Sequence, residues 1–168
     1  GLRTRDGHLM EWIARLRPGA RVAVESRPEP WPRFTIGTRG RRRLFPEWTW
    51  ISPEPIALPP VRNPARWWVQ SVKYWQCAPK ARTAIVWNPV AGAHRIEALK
   101  RDGTRVVVDL LDDWTVHKGM RAIWGEARAA YAALFDEADV VVANSEGTQE
   151  LAASYGREAV LIPNGCDP

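Results

Sequence analysis

Four short stretches of this chain carry side chains that could do chemistry, and each follows a run rich in β-branched residues. They are "WNP" at 87–89, "LDDW" at 111–114, "ANSEG" at 143–147 and "IPNG" at 162–165. The paired carboxylates Asp112 and Asp113 are the catalytic candidates, because a carboxylate can orient a hydroxyl or steady positive charge developing at a reacting carbon. Asn88, Ser145, Glu146, Asn164 and Gly165 are the substrate-binding candidates of the other three stretches. Each stretch also has a plain structural use. Asn88-Pro89 and Asn164-Gly165 are turn dipeptides, the aspartates can cap a helix, and Ser145 suits an N-cap. Only in combination do they indicate function, since an open α/β sheet places its ligands just past the carboxyl ends of its strands.

The elements that must position them are legible from residue 80 onward. "TAIVWNP" (83–89) reads as a buried strand meeting a proline stop, and 90–101 as a short helix closed by the Asp102-Gly103 turn. "RVVVDLL" (105–111) is a strand apolar on both faces, as in parallel sheets covered on both sides. Met120, Ile123, Trp124, Ala127, Tyr131, Leu134, Phe135 and Ala138 recur at helical steps and make one apolar stripe. "DVVVA" (139–143) is a strand, and Asn144-Ser145 starts a helix with Glu146 and Glu150 near its positive end. Gly156 stands where a left-handed terminating residue is wanted, and "EAVLIP" (158–163) is the last strand. The expected fold is therefore α/β, a Rossmann-like, doubly wound and mainly parallel sheet with right-handed crossovers.

The front half is less regular. Leu9, Trp12, Ile13 and Leu16 form a helix stripe ending before Pro18-Gly19, and "RVAVES" (21–26) is a short strand. Residues 27–60 are rich in Pro, Arg and Trp with a strand near 47–52, and 62–77 reads as a helix with Trp67, Trp68 and Trp75 as core residues. In a doubly wound sheet the helix beginning near Thr4 follows a first, central strand, and only Gly1-Leu2-Arg3 stand there, so that strand is expected to be missing. The chain reads as one domain.

Composition narrows the function classes. The net charge is +5, but residues 1–50 carry +6, 51–100 carry +5 and 101–168 carry −6. A basic front suits anionic partners, or simply a solvated Arg-rich surface. Arg39, Arg41, Arg42 and Arg43 in "TRGRRR" lie among tryptophans that could grip sugar rings or anchor to an anionic membrane surface. No apolar run reaches membrane-spanning length, no nucleic-acid-binding module or glycine-rich phosphate loop is present, and Cys77 and Cys166 form no metal or redox pattern. His94 and His117 have no metal-ligand spacing. A cytoplasmic setting, at the inner face of the membrane if the basic stretch docks there, is the expectation.

"VVVDLLDDW", "ADVVVANSEGTQELAASYG" and "AVLIPNGCD", in that order and spacing, resemble the end of the N-terminal domain of GT-B-fold glycosyltransferases. The closest group is the retaining enzymes of glycosyltransferase family 4 and their relatives in bacterial polysaccharide synthesis. "RTRDGHLMEWIARL" resembles their first helix. The resemblance is best over 105–168 and weak over 27–80. It implies the acceptor-side half of a two-domain transferase, whose partner domain holds the nucleotide-sugar and the family's paired glutamates. No other cofactor is implied. Glu150 and Glu158, with seven residues between them, match the spacing of that glutamate pair only by coincidence, before the "PNG" turn that usually precedes the second domain. Both ends of the chain read as cut edges, and the fragment is expected to be inactive alone. The resemblance places Asp112 and Asp113 near the reacting sugar, without requiring either as nucleophile. Arg5 and His8, at the start of the first helix, could meet a phosphate there. The acceptor would be a glycan or a lipid-linked glycan. The alternative is a non-catalytic module of the same fold that grips anionic glycan or lipid.

Overall fold

The structure is a computed structural model that describes residues 5–17, 19, 22–25, 49–51, 63–72 and 80–165. Two compact units divide the chain, one formed by 1–62 with 70–79 and the other by 63–69 with 80–168.

In the first unit, α1 (Arg5–Leu16) carries the expected helix, and β1 (Ala23–Glu25) pairs in parallel with β2 (Thr49–Ile51), Val24 opposite Trp50. The apolar stripe expected on α1 is only partly buried. Leu9 and Ile13 are half-buried, Trp12 is 51% and Leu16 70% exposed, and the enclosed residue is Met10, outside the stripe. Arg15 lies over the Trp12 ring and pairs with Glu11 one turn earlier, so a polar neighbour shields part of the Trp12 ring. The expected helix over 62–77 is α2 (Pro64–Ser71), whose residues 64–69, Trp67 and Trp68 included, belong to the second unit, and residues 73–79 lie outside the described residues.

The second unit holds a parallel sheet in the order β3 (Thr83–Val86), β4 (Arg105–Leu110), β5 (Val140–Ala143), β6 (Val160–Leu161). Each strand reaches the next through a helix: α3 (Pro89–Arg101), α4 (Trp124–Glu137) and α5 (Glu146–Ser154). This is an α/β architecture. Asn88 caps α3, its Oδ1 accepting from Ala91 N at 3.0 Å, and Pro89 takes the first helical position, where no donor is needed. Asp102 closes the helix, and Gly103 follows at φ 74°, a conformation that a Cβ would strain. Gly156 does the same after α5 at φ 72°, as the sequence indicated.

All three helices pack on one face of the sheet. Ile96 of α3, Tyr131, Leu134 and Phe135 of α4, and Leu151 and Ala152 of α5 form one cluster with Val106, Val108, Leu110, Val141 and Ala143. Strand alternation brings exactly those strand residues to a common side. Burying Leu134 and Ile123 completely stabilises the unit by about 1.5–3 kcal/mol each. The opposite face carries Ile85, Val107, Val140 and Val142, half-buried, and the buried carboxylate Asp109.

Two boundaries differ from the sequence reading. The stripe from Met120 to Ala138 does not form a single helix: Lys118–Ile123 is a 3-10 turn, and α4 starts at Trp124. No side chain caps the start at His117, and Gly119 and Gly125 weaken the helix there, so the tighter turn takes up the orphan amides. The last strand is Val160–Leu161 rather than 158–163. Pro163 has no N–H to give a ladder, and the Ala159 carbonyl accepts instead from Gln149 Nε2 at 3.0 Å.

Candidate functional site

The loop after β4 is held at successive backbone atoms. At its start, Asn144 Nδ2 donates to the Leu111 carbonyl at 2.8 Å, tying the ends of β4 and β5 together. Next, Tyr131 Oη donates to the Asp112 carbonyl at 2.9 Å and accepts from Trp114 N at 3.3 Å. Asp113 Oδ1 then accepts from both the amide and the hydroxyl of Thr115, each at 2.7 Å. Its carbonyl accepts from His117 N at 3.0 Å. Trp114 packs edge-on against Trp68 of α2 with ring centroids 5.2 Å apart. This loop is built to keep one shape.

The two aspartates consequently differ. Asp113 is partly buried, with one oxygen committed to the Thr115 turn. Asp112 is exposed while its backbone is fixed by Tyr131. Tyr131 itself is almost fully enclosed, and burial pushes its hydroxyl well above the ordinary value, with the Asp113 and Asp112 charges adding and the Trp114 amide opposing. The Tyr155 hydroxyl is also pushed up, chiefly by burial.

The end of β5 is tied internally as well. Ser145 caps α5, accepting from Thr148 N at 3.3 Å, while its own amide donates to Thr148 Oγ1 at 3.2 Å. The Thr148 hydroxyl lies 3.0 Å from Asn144 Oδ1. This reciprocal capping leaves Ser145 structurally engaged, with Glu146 exposed beside it in the first turn of α5. After β3, Asn88 spends its Oδ1 on the α3 cap, and its Nδ2 is buried with no hydrogen-bond partner. Asn164 and Gly165 are exposed beyond β6.

The sheet thus brings Asn88, Asp112, Asp113, Ser145 and Glu146 to the carboxyl ends of β3, β4 and β5. Arg5 and His8 sit half-buried on α1 of the other unit, and Arg39, Arg41, Arg42 and Arg43 lie outside the described residues. Sequence reasoning missed Asp109, which accepts from Trp87 Nε1 at 2.8 Å on the sheet face away from the helices. A charge inside the apolar run "VVVDLL" was the available signal. Sequence reasoning placed Tyr131 in the apolar stripe, where the structure does bury it, but gave no role to the hydroxyl, a polar end that must find partners when buried. Trp87, Asp109, Leu111, Asp112 and Tyr131 line a recess with a cavity volume of about 10 Å³, at the lower limit for one water molecule. Polar chemistry here would therefore take place over the recess, where Asp112 is exposed.

Among the described residues, no three His, Cys, Asp or Glu side chains are grouped to hold a metal ion, and no helix is long and apolar enough to cross a membrane. No family model, no curated protein and no solved structure matches the chain.

Proposed function

We propose that this chain is the acceptor-binding domain of a retaining glycosyltransferase that moves a sugar from a nucleotide-sugar to a glycan or lipid-linked acceptor. The observation that carries the reading is the exposed Asp112 on a loop pinned by Asn144, Tyr131 and Thr115 at the carboxyl end of a parallel sheet. Such a carboxylate needs no reorganisation to accept a hydrogen bond from an acceptor hydroxyl, which lowers the cost of orienting it. The motif order "VVVDLLDDW", "ADVVVANSEG", "AVLIPNG" supports the same reading, since these runs form β4 with its loop, β5 with the start of α5, and β6 with its turn.

On this reading the sheet is part of a Rossmann-like, doubly wound domain, the N-terminal half of a GT-B fold. A second domain holds the nucleotide-sugar. Asp112 orients the acceptor and steadies positive charge at the anomeric carbon, while Asp113 keeps the loop in register. The basic run Arg39–Arg43 meets the anionic surface of a membrane carrying the acceptor, so replacing its four arginines with serine weakens sedimentation with anionic liposomes.

The test is a titration of isotope-labelled chain with a water-soluble isoprenyl diphosphate-linked sugar and with neutral oligosaccharides. Saturable amide shifts over 111–117 and 144–148, weakened by Asp112→Asn, are the expected result. No shift with any of these ligands overturns the reading. Binding that Asp112→Asn leaves unchanged favours the non-catalytic glycan- or lipid-binding module instead.

A further inference from the structure

β6 is an edge strand among the described residues, and it is unusually apolar: Val160 is 55%, Leu161 39% and Ile162 47% exposed. Exposed apolar edges pair with other strands unless they are blunted by charge, proline or a bulge. Here the register fixes which groups remain on offer. Val160 sits opposite Val142, Leu161 opposite Ala143, and Ile162 N donates to the Ala143 carbonyl at 2.8 Å. In a parallel ladder the bonding residues alternate, so Val160 and Ile162 turn their backbone toward β5 and Leu161 turns its N–H and C=O outward.

We infer that this edge pairs with the same edge of a second copy of the chain, antiparallel about a two-fold axis through Leu161. The pattern is self-complementary. Leu161 exchanges both backbone bonds with the second copy's Leu161, and Val160 lies directly across from Ile162 on the same face, a favourable β-branched pair. One step outward, Ala159 meets Pro163. The bond that Pro163 cannot donate is the one that the Ala159 carbonyl does not need, because Gln149 Nε2 already fills it at 3.0 Å. Beyond that, Glu158 faces Asn164, so no like charges oppose each other. Pro163 and Gln149 also stop the ladder from extending, which makes the product a closed dimer rather than a growing assembly.

Two readouts on the whole chain test this. Light scattering during size-exclusion chromatography, as concentration rises through the micromolar range, should show a dimer. Hydrogen exchange should show the Leu161 amide becoming protected over the same range, while the Ile162 amide, bound within the protomer, stays protected throughout. The double variant Val160→Lys with Ile162→Lys sets lysines against each other at exposed positions. It should keep its far-ultraviolet circular dichroism, become monomeric and lose Leu161 protection. A chain that stays monomeric with a fast-exchanging Leu161 amide overturns the inference. So does a dimer that survives the double substitution, which would use another surface.

Discussion

The Tyr131 hydroxyl stands 2.9 Å from the Asp112 carbonyl and 3.3 Å from the Trp114 amide, so a core side chain of α4 sets the shape of the loop after β4. Tyr131→Phe keeps the ring and removes both bonds. The expected cost is about 1–3 kcal/mol, the usual penalty for leaving buried polar groups unpaired. Urea denaturation measures it, and faster hydrogen exchange at Trp114 locates the loss. A stability change with Trp114 exchange unaltered would place the effect in the core instead.

The same hydroxyl makes stability depend on alkaline pH. Burial raises the Tyr131 hydroxyl from its ordinary 10.0, so the folded state binds this proton more tightly than the unfolded state. Its contribution is fully present below 10.0 and is lost as the pH rises through the raised folded value. Wild-type stability should fall along this limb, and Tyr131→Phe should fall less. Denaturation midpoints collected across the alkaline range decide the point, with parallel curves for the two proteins counting against it.

The sequence carried the order of elements in the second unit because its signals there are local. Val106 to Val108, the Asn88-Pro89 start and Gly156 act through propensity, capping and backbone freedom, which neighbouring residues determine. The face on which α3, α4 and α5 pack is a tertiary outcome and could not be read from those signals. Likewise the Asp112-Asp113 pair was visible as two equivalent carboxylates. What separates them, the Thr115 turn and the Tyr131 bond from 19 residues away, exists only once α4 lies under the loop. The short β6 has the same origin, since Gln149 takes the Ala159 carbonyl from a different element.

Gly92 shows how closely α3 approaches the sheet. A Cβ at this position would come within 2.3 Å of Val86 Cγ1 and 3.1 Å of Leu134 Cδ2. Valine is stiff at χ1 in a strand, so Val86 cannot simply rotate away. Gly92→Ala should therefore destabilise the unit by about 1–3 kcal/mol, even though alanine is the better helix former. Thermal denaturation checks it, and a stabilised variant would mean that α3 can move off β3.

Asp139 links α3, β4 and the start of β5. Its Oδ1 accepts from Lys100 Nζ at 2.8 Å and its Oδ2 from Val106 N at 2.7 Å. The lysine bond first, and the amide bond second, hold its carboxyl below the ordinary 3.8. A depressed folded value means that the unfolded chain takes up this proton first. The stabilisation is thus fully present above 3.8 and disappears as the pH falls through the lower folded value. Asp139→Asn cannot offer both bonds, so it should be less stable than wild type at neutral pH. The gap between their urea midpoints should close as the pH falls below 3.8. A gap of constant size down to the most acidic readable pH would show that the carboxylate's charge contributes nothing, leaving only the shape of the side chain.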